Sequence, residues 1–162
     1  MERATVHTMD YSGTMDGLPD PDRDPQFYES VPSRRLAAWC MDIVIIALFG
    51  IPLATLFGLV TLGFGFALFP FIMVCVGFIY RFATLANRSA TWGMRFMGIE
   101  FRRQDGNRFD TLTALLHTAI YSVCFGFFFL QLASCLSILM TRYRQGLQDI
   151  ILRTTAINRP VI

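Results

Sequence analysis

The chain has 162 residues, of which 54% are hydrophobic and 16% charged, with 16 Phe and a formal net charge of +2. A charged share so far below the roughly 25% of soluble domains excludes an ordinary water-soluble globule and points to lipid as the solvent. So small a net charge gives no ground for a nucleic-acid partner. The charge is unevenly placed: residues 1–31 carry Glu2, Asp10, Asp16, Asp20, Asp22, Asp24 and Glu29 against Arg3 and Arg23, a balance of −5, which leaves +7 on the remainder.

The acidic segment 1–31, punctuated by Pro19, Pro21 and Pro25 with Pro32 just after it, lacks an apolar run of signal-peptide length and reads as a disordered cytoplasmic leader. A membrane domain is expected over 32–158. Its first apolar stretch, Leu36 to Tyr80, would be nearly 70 Å long as one helix, more than twice the roughly 30 Å hydrocarbon core. It must fold back, and Leu62-Gly63-Phe64-Gly65-Phe66 is the natural turn. We therefore expect helices at about 34–58 and 66–86. Arg34 and Arg35 flank one end of this hairpin and Arg81 and Arg88 the other, which places both ends in the cytoplasm by the positive-inside rule.

Residues 88–108 form a polar interlude. The part from about 90 to 98 reads as a short interfacial helix, with Trp92 and Phe96 at headgroup level and Arg95 reaching phosphate. Ile99-Glu100-Phe101-Arg102 then alternates with period two, Asp105-Gly106 is a turn signal, and Arg108-Phe109 is the expected start of a return strand.

A second apolar stretch, Thr111 to Thr141, has 31 residues without formal charge. Arg102, Arg103 and Arg108 precede it and Arg142, Arg144, Arg153 and Arg159 follow it. A single crossing would put one basic cluster outside, so a hairpin of two short helices, 111–125 and 127–141, is expected, turning near Phe125-Gly126-Phe127. Segment 142–158 reads as an amphipathic piece lying along the interface. The fold class is all-α and polytopic: four transmembrane or half-spanning helices in two hairpins, with a short interfacial helix or β-hairpin between them.

Chemistry-bearing clusters are sparse. Cys40, Cys75, Cys124 and Cys135 fall in apolar runs without metal or redox spacing and are expected as buried free thiols. His117 is expected as a packed, hydrogen-bonded side chain. Ser33, Ser89, Ser122, Ser134 and Ser137 have no His or Asp in motif spacing, and no phosphate-binding loop is present. No enzymatic activity, metal or cofactor is expected.

The informative charge is Asp42, after which none appears until Arg81. A carboxylate in a span costs about 2.5–3.5 kcal/mol at a helix centre. Arg35, seven residues earlier, shares its helix face about 10.5 Å away along the axis. The candidate partners for Asp42 are Arg35 stretched inward, Arg95, Arg153 or a water-filled crevice. Two readings stand: a structural clasp between Asp42 and an arginine, with Asp149 capping or pairing similarly, or a titratable ion or proton site on a transport path.

Taken together, these elements resemble the RDD family of bacterial membrane proteins. Arg34, Arg35, Leu36, Ala37, Ala38 and Asp42 match its opening pattern. Thr91, Gly93, Arg95 and Gly98 match the middle pattern, with Ala90 and Met94 replacing a Gly and a Lys, and Asp149 and Thr154 match the last. The resemblance implies a multi-pass protein of the bacterial inner membrane, with the lipid bilayer and a homo-oligomer or membrane-protein partner as its contacts. Its role would be that of an accessory or assembly component or, alternatively, of a small transporter subunit.

Overall fold

The computed structural model describes residues 17–159. Helix α1 runs Val31–Val60, α2 Phe69–Arg88, α3 Trp92–Phe96, α4 Thr111–Gly126, α5 Phe128–Met140 and α6 Leu147–Leu152; strands β1 and β2 are Ile99–Arg103 and Thr154–Asn158. The protein is mostly helical, with a small two-stranded sheet and two or three candidate membrane-spanning helices.

Helices α1 and α2 form an antiparallel hairpin through a turn and a 3-10 segment, Phe64–Leu68. The turn falls at the expected Gly-rich segment. Where α1 meets its neighbours it presents mainly small residues, with Ala38, Gly50, Ala54 and Gly58 buried along the helix. This is the close backbone approach by which helices associate in lipid, where apolar bulk gains nothing from leaving its surroundings. Its large side chains point outward instead: Val44 is 67% and Leu48 68% exposed. An apolar surface of this extent is uncharacteristic of a soluble monomer.

The second apolar stretch breaks at Phe127 into α4 and α5, bent by 118°. The turn near Phe125-Gly126-Phe127 is where the charge argument placed it. Asp110 starts α4 as an N-cap, its carboxylate accepting from the Thr113 amide at 2.7 Å.

The packed core lies at one end of this helical array. Val31, Leu85, Met94, Ile99, Phe101 and Phe109 meet there, where α1 and α2 receive α3 and the sheet. Four expectations are corrected at this end. First, β1 does not pair with a strand at Arg108-Phe109. Its antiparallel partner is β2, with Phe101 opposite Ala156 and Glu100 opposite Ile157. The Phe109 amide is instead taken by the Ser89 hydroxyl at 2.7 Å. Second, segment 142–158, expected as an amphipathic piece along the interface, is built into the packed end: α6 ends after one and a half turns and the chain continues as β2, closing on the core.

Third, the leader is structured where it is described. The Gly17 amide donates to the Gln104 carbonyl at 3.0 Å, Arg142 pairs with Asp20 at 2.8 Å and also with Asp22, and Asn158 bonds the Gln26 and Glu29 carbonyls. The expectation for residues 1–16 lies outside the described residues. Fourth, the four cysteines are free thiols, but only Cys124 is buried; Cys40 and Cys135 are exposed on the apolar surface.

Candidate functional site

Two buried motif carboxylates, Asp42 on α1 and Asp149 on α6, organise the packed end. Asp42 is 6% exposed and receives three hydrogen bonds. The Tyr80 hydroxyl donates to Oδ1 at 2.6 Å, the Thr91 hydroxyl to Oδ2 at 2.6 Å and the Gly93 amide to Oδ1 at 2.9 Å. Thr91 is the N-cap of α3, its Oγ1 also accepting from the Met94 amide at 3.2 Å. The Thr91-Trp92-Gly93 turn thus presents one hydroxyl and one amide to the same carboxylate. Gly93 is required by proximity: a Cβ there would stand 2.2 Å from the Ala38 carbonyl oxygen and 2.8 Å from Asp42 Oδ1. The motif glycine lets α3 lie directly on α1.

The arginine clasp expected at Asp42 is therefore corrected. Among the described residues no arginine is in ion-pair contact with Asp42. Its charge is met by neutral donors, each a charge-assisted bond of about 1.5–3 kcal/mol. Arg35, the expected partner, turns to Asp149.

Asp149 is fully buried on α6. Arg35 Nη1 approaches its Oδ2 at 2.7 Å, the Gly146 amide donates to Oδ2 at 2.9 Å, and His117 Nε2 lies 2.8 Å from Oδ1. Arg35 also donates to the Arg144 carbonyl at 3.1 Å and lies over the Phe101 ring at 5.2 Å. His117 is wedged against Phe101 and Phe109 with centroid distances of 4.6 and 5.3 Å, and its Nδ1 is buried without a partner. Burial alone would raise the Asp149 pKa; Arg35, His117 and the Gly146 amide outweigh it and hold the carboxyl well below the usual carboxylate range. Asp149 is thus an anion at every physiological pH, tying α1, α4 and α6 together.

The remaining motif residues support the same end. Arg34 donates to the Met97 carbonyl at 3.2 Å, satisfying an orphan carbonyl at the C-terminus of α3. Gly98 turns the chain into β1 at φ +71°, a left-handed conformation that glycine adopts without strain. Arg95 is exposed and joins neither carboxylate. Arg153 is likewise exposed and ends α6.

Sequence reasoning did not single out Tyr80, Arg81 or Glu100 as site residues. Glu100 is 2% exposed and faces Arg102 on its own strand, with Arg108 at 3.9 Å and Arg159 at 3.4 Å. The period-two alternation was its available signal, since residues i and i+2 share a strand face. Tyr80 had none, lying 38 positions from Asp42 with no local pattern linking them. A cavity of about 450 Å³ lies beside the site, and Arg35, Asp42, Arg81, Trp39 and Tyr121 are among its lining residues. Among the described residues no group of three His, Cys, Asp or Glu side chains is placed to hold a metal ion.

Residues 30–153 match the sequence model of the RDD family. No curated protein and no solved structure matches the chain.

Proposed function

The chain belongs to the RDD family, and from that premise we propose that it is a non-enzymatic accessory or assembly component of a membrane complex. One observation carries this reading: both motif carboxylates are spent on donors from their own chain, Asp42 on Tyr80, Thr91 and Gly93, and Asp149 on Arg35, His117 and Gly146. Polar groups committed in this way fix an arrangement of helices. Along the helices the outward surface is apolar, including Val44 and Leu48 on α1, Phe71 on α2 and Phe129 on α5. Such a surface suits lipid and the flank of another membrane protein.

The topology in this proposal is multi-pass in the bacterial inner membrane, with both termini cytoplasmic. α1 and α2 cross fully. At 1.5 Å per residue α4 and α5 are only about 24 and 20 Å long, shorter than the hydrocarbon core, so they form a half-spanning hairpin. The packed end with its basic residues lies on the cytoplasmic side.

Extraction in a mild detergent followed by identification of co-purifying proteins tests the reading. A stoichiometric membrane-protein partner is expected, and the chain purifying alone or only as its own oligomer contradicts it. One feature favours the second reading, a small transporter or proton-exchange subunit: Asp42 lines the cavity between the helices. That reading predicts a pH- or cation-dependent flux in liposomes of purified protein that Asp42→Asn abolishes, whereas the accessory reading predicts no flux.

A further inference from the structure

Arg81 is a charge beside the cavity that the Asp42 and Asp149 networks do not engage. It sits on α2, one residue past Tyr80, with its guanidinium 3.8 Å from the centre of the Tyr121 ring. Its Nε is buried and has no hydrogen-bond partner, and among the described residues it makes no ion pair with a carboxylate. A guanidinium cannot shed its proton to escape this situation, as a lysine can. A half-buried cation without a counter-ion, at the end of an apolar stretch and beside a cavity, is a candidate anion site.

The surroundings say what the site takes. Arg81 lines the cavity of about 450 Å³, whose volume lies in the range of small-molecule sites. The cavity exists because α1 packs on α2 and α3 while α5 packs on α4 and α6, leaving a cleft between α1 and α5. Part of its lining is polar: Trp39 Nε1 donates to the Tyr121 hydroxyl at 3.0 Å, and the Arg81 guanidinium lies over the same Tyr121 ring. Its walls are apolar, with Ile138 and two rim leucines, Leu36 and Leu139, that are themselves more than half exposed to the apolar surroundings. The other charged groups on the cleft are already engaged, Arg35 by Asp149 and Asp42 by its three donors. The cleft therefore offers one positive charge without a counter-ion in a largely apolar slot whose rim leucines are exposed.

We propose that this cleft binds an anionic phospholipid, its phosphate meeting the Arg81 guanidinium and an acyl chain lying between α1 and α5 along Leu36, Ile138 and Leu139. Guanidinium and phosphate match in charge and in fork geometry. The slot takes its occupant from the bilayer rather than from water. The proposal is independent of the accessory role and holds for a transporter subunit as well.

Trp39 on the cleft provides the readout. Full-length protein carrying Trp92→Phe, which leaves Trp39 as its sole tryptophan, is reconstituted in phosphatidylcholine vesicles containing increasing fractions of brominated phosphatidylglycerol or, separately, brominated phosphatidylcholine. Trp39 fluorescence is expected to be quenched at about fivefold lower mole fraction by the anionic lipid, the preference that one cation near an anionic headgroup supplies. Arg81→Gln removes that preference and Arg81→Lys keeps part of it. Equal quenching by both lipids in protein with Arg81 intact overturns the proposal without any cleft variant having to fold. So does a preference unchanged in Arg81→Gln. Relief of the quenching by millimolar inorganic phosphate at constant ionic strength assigns the site to a free anion, which also overturns it.

Discussion

The molecule has two kinds of interior. At the packed end, charged and polar side chains are buried and matched: Asp42 with three neutral donors, Asp149 with Arg35 and His117, Glu100 with three arginines. Along the helices away from that end, α1 and α2 meet through small residues while the large apolar side chains face outward. In lipid, apolar contact between helices gains little, so the hairpin is held by close approach and by the polar locks at its end. The teaching of the contrast is that stability should be concentrated where the motif residues lie and diluted along the spans.

The sharpest way to break that picture is at Asp149. Asp149→Leu strands a largely buried Arg35 cation and the fully buried His117 ring, and removing one partner of a buried ion pair costs about 3–5 kcal/mol. Thermal unfolding in detergent, followed by fluorescence-detected gel filtration, should show little folded protein surviving. Next comes Asp42→Asn, which keeps the shape but sets an amide against up to three donors; a loss of about 1–3 kcal/mol is expected by the same assay. Gly93→Ala should cost about as much for a different reason, since its new methyl meets the Ala38 carbonyl at 2.2 Å and forces α3 off α1. At the other extreme, Val44→Ala on the outward face should fall within about 0.5 kcal/mol of the parent. A Val44→Ala effect as large as that at Gly93 would erase the distinction between the two regions.

Acid sharpens the same comparison. The Asp149 pKa is depressed in the fold, so its contribution is fully present above the ordinary carboxylate range near pH 4 and is lost as pH falls through the lower folded value. Between about pH 5 and 8 this group should contribute no slope to stability. In Asp149→Asn the acid-side loss due to this group should vanish.

How much of this could be read from the residues alone depended on sequence distance. Both turns were legible, the one at Gly63-Phe64-Gly65 because an apolar run longer than the bilayer must fold back, the one at Phe125-Gly126-Phe127 because arginines flank both ends of its stretch. The motif charges were legible as a set. Their pairing was not: Arg35 and Asp42 share a helix face, which made them look like partners, yet Arg35 reaches Asp149 across 114 positions of sequence. The same physics explains the sheet. Asp105-Gly106 is a strong local turn signal, and it suggested a hairpin with Arg108-Phe109, but β1 takes its partner from the far end of the chain because Ile99 and Phe101 need β2 to finish burying them. Local patterns specify elements; the contacts that join α1, α2, α6 and the sheet at this end are non-local. The described part of the leader misled for a similar reason, since Asp20 and Asp22 are met by Arg142, 122 and 120 positions away in sequence.

The account rests on the buried carboxylates acting as locks between helices, and the Arg35–Asp149 pair tests that most directly. A double-mutant cycle on thermal unfolding, with Arg35→Gln, Asp149→Asn and both together, should give a coupling energy above about 1 kcal/mol, as expected for residues in one hydrogen-bonded ion-pair network. Strictly additive losses, or single variants as stable as the parent, would contradict it.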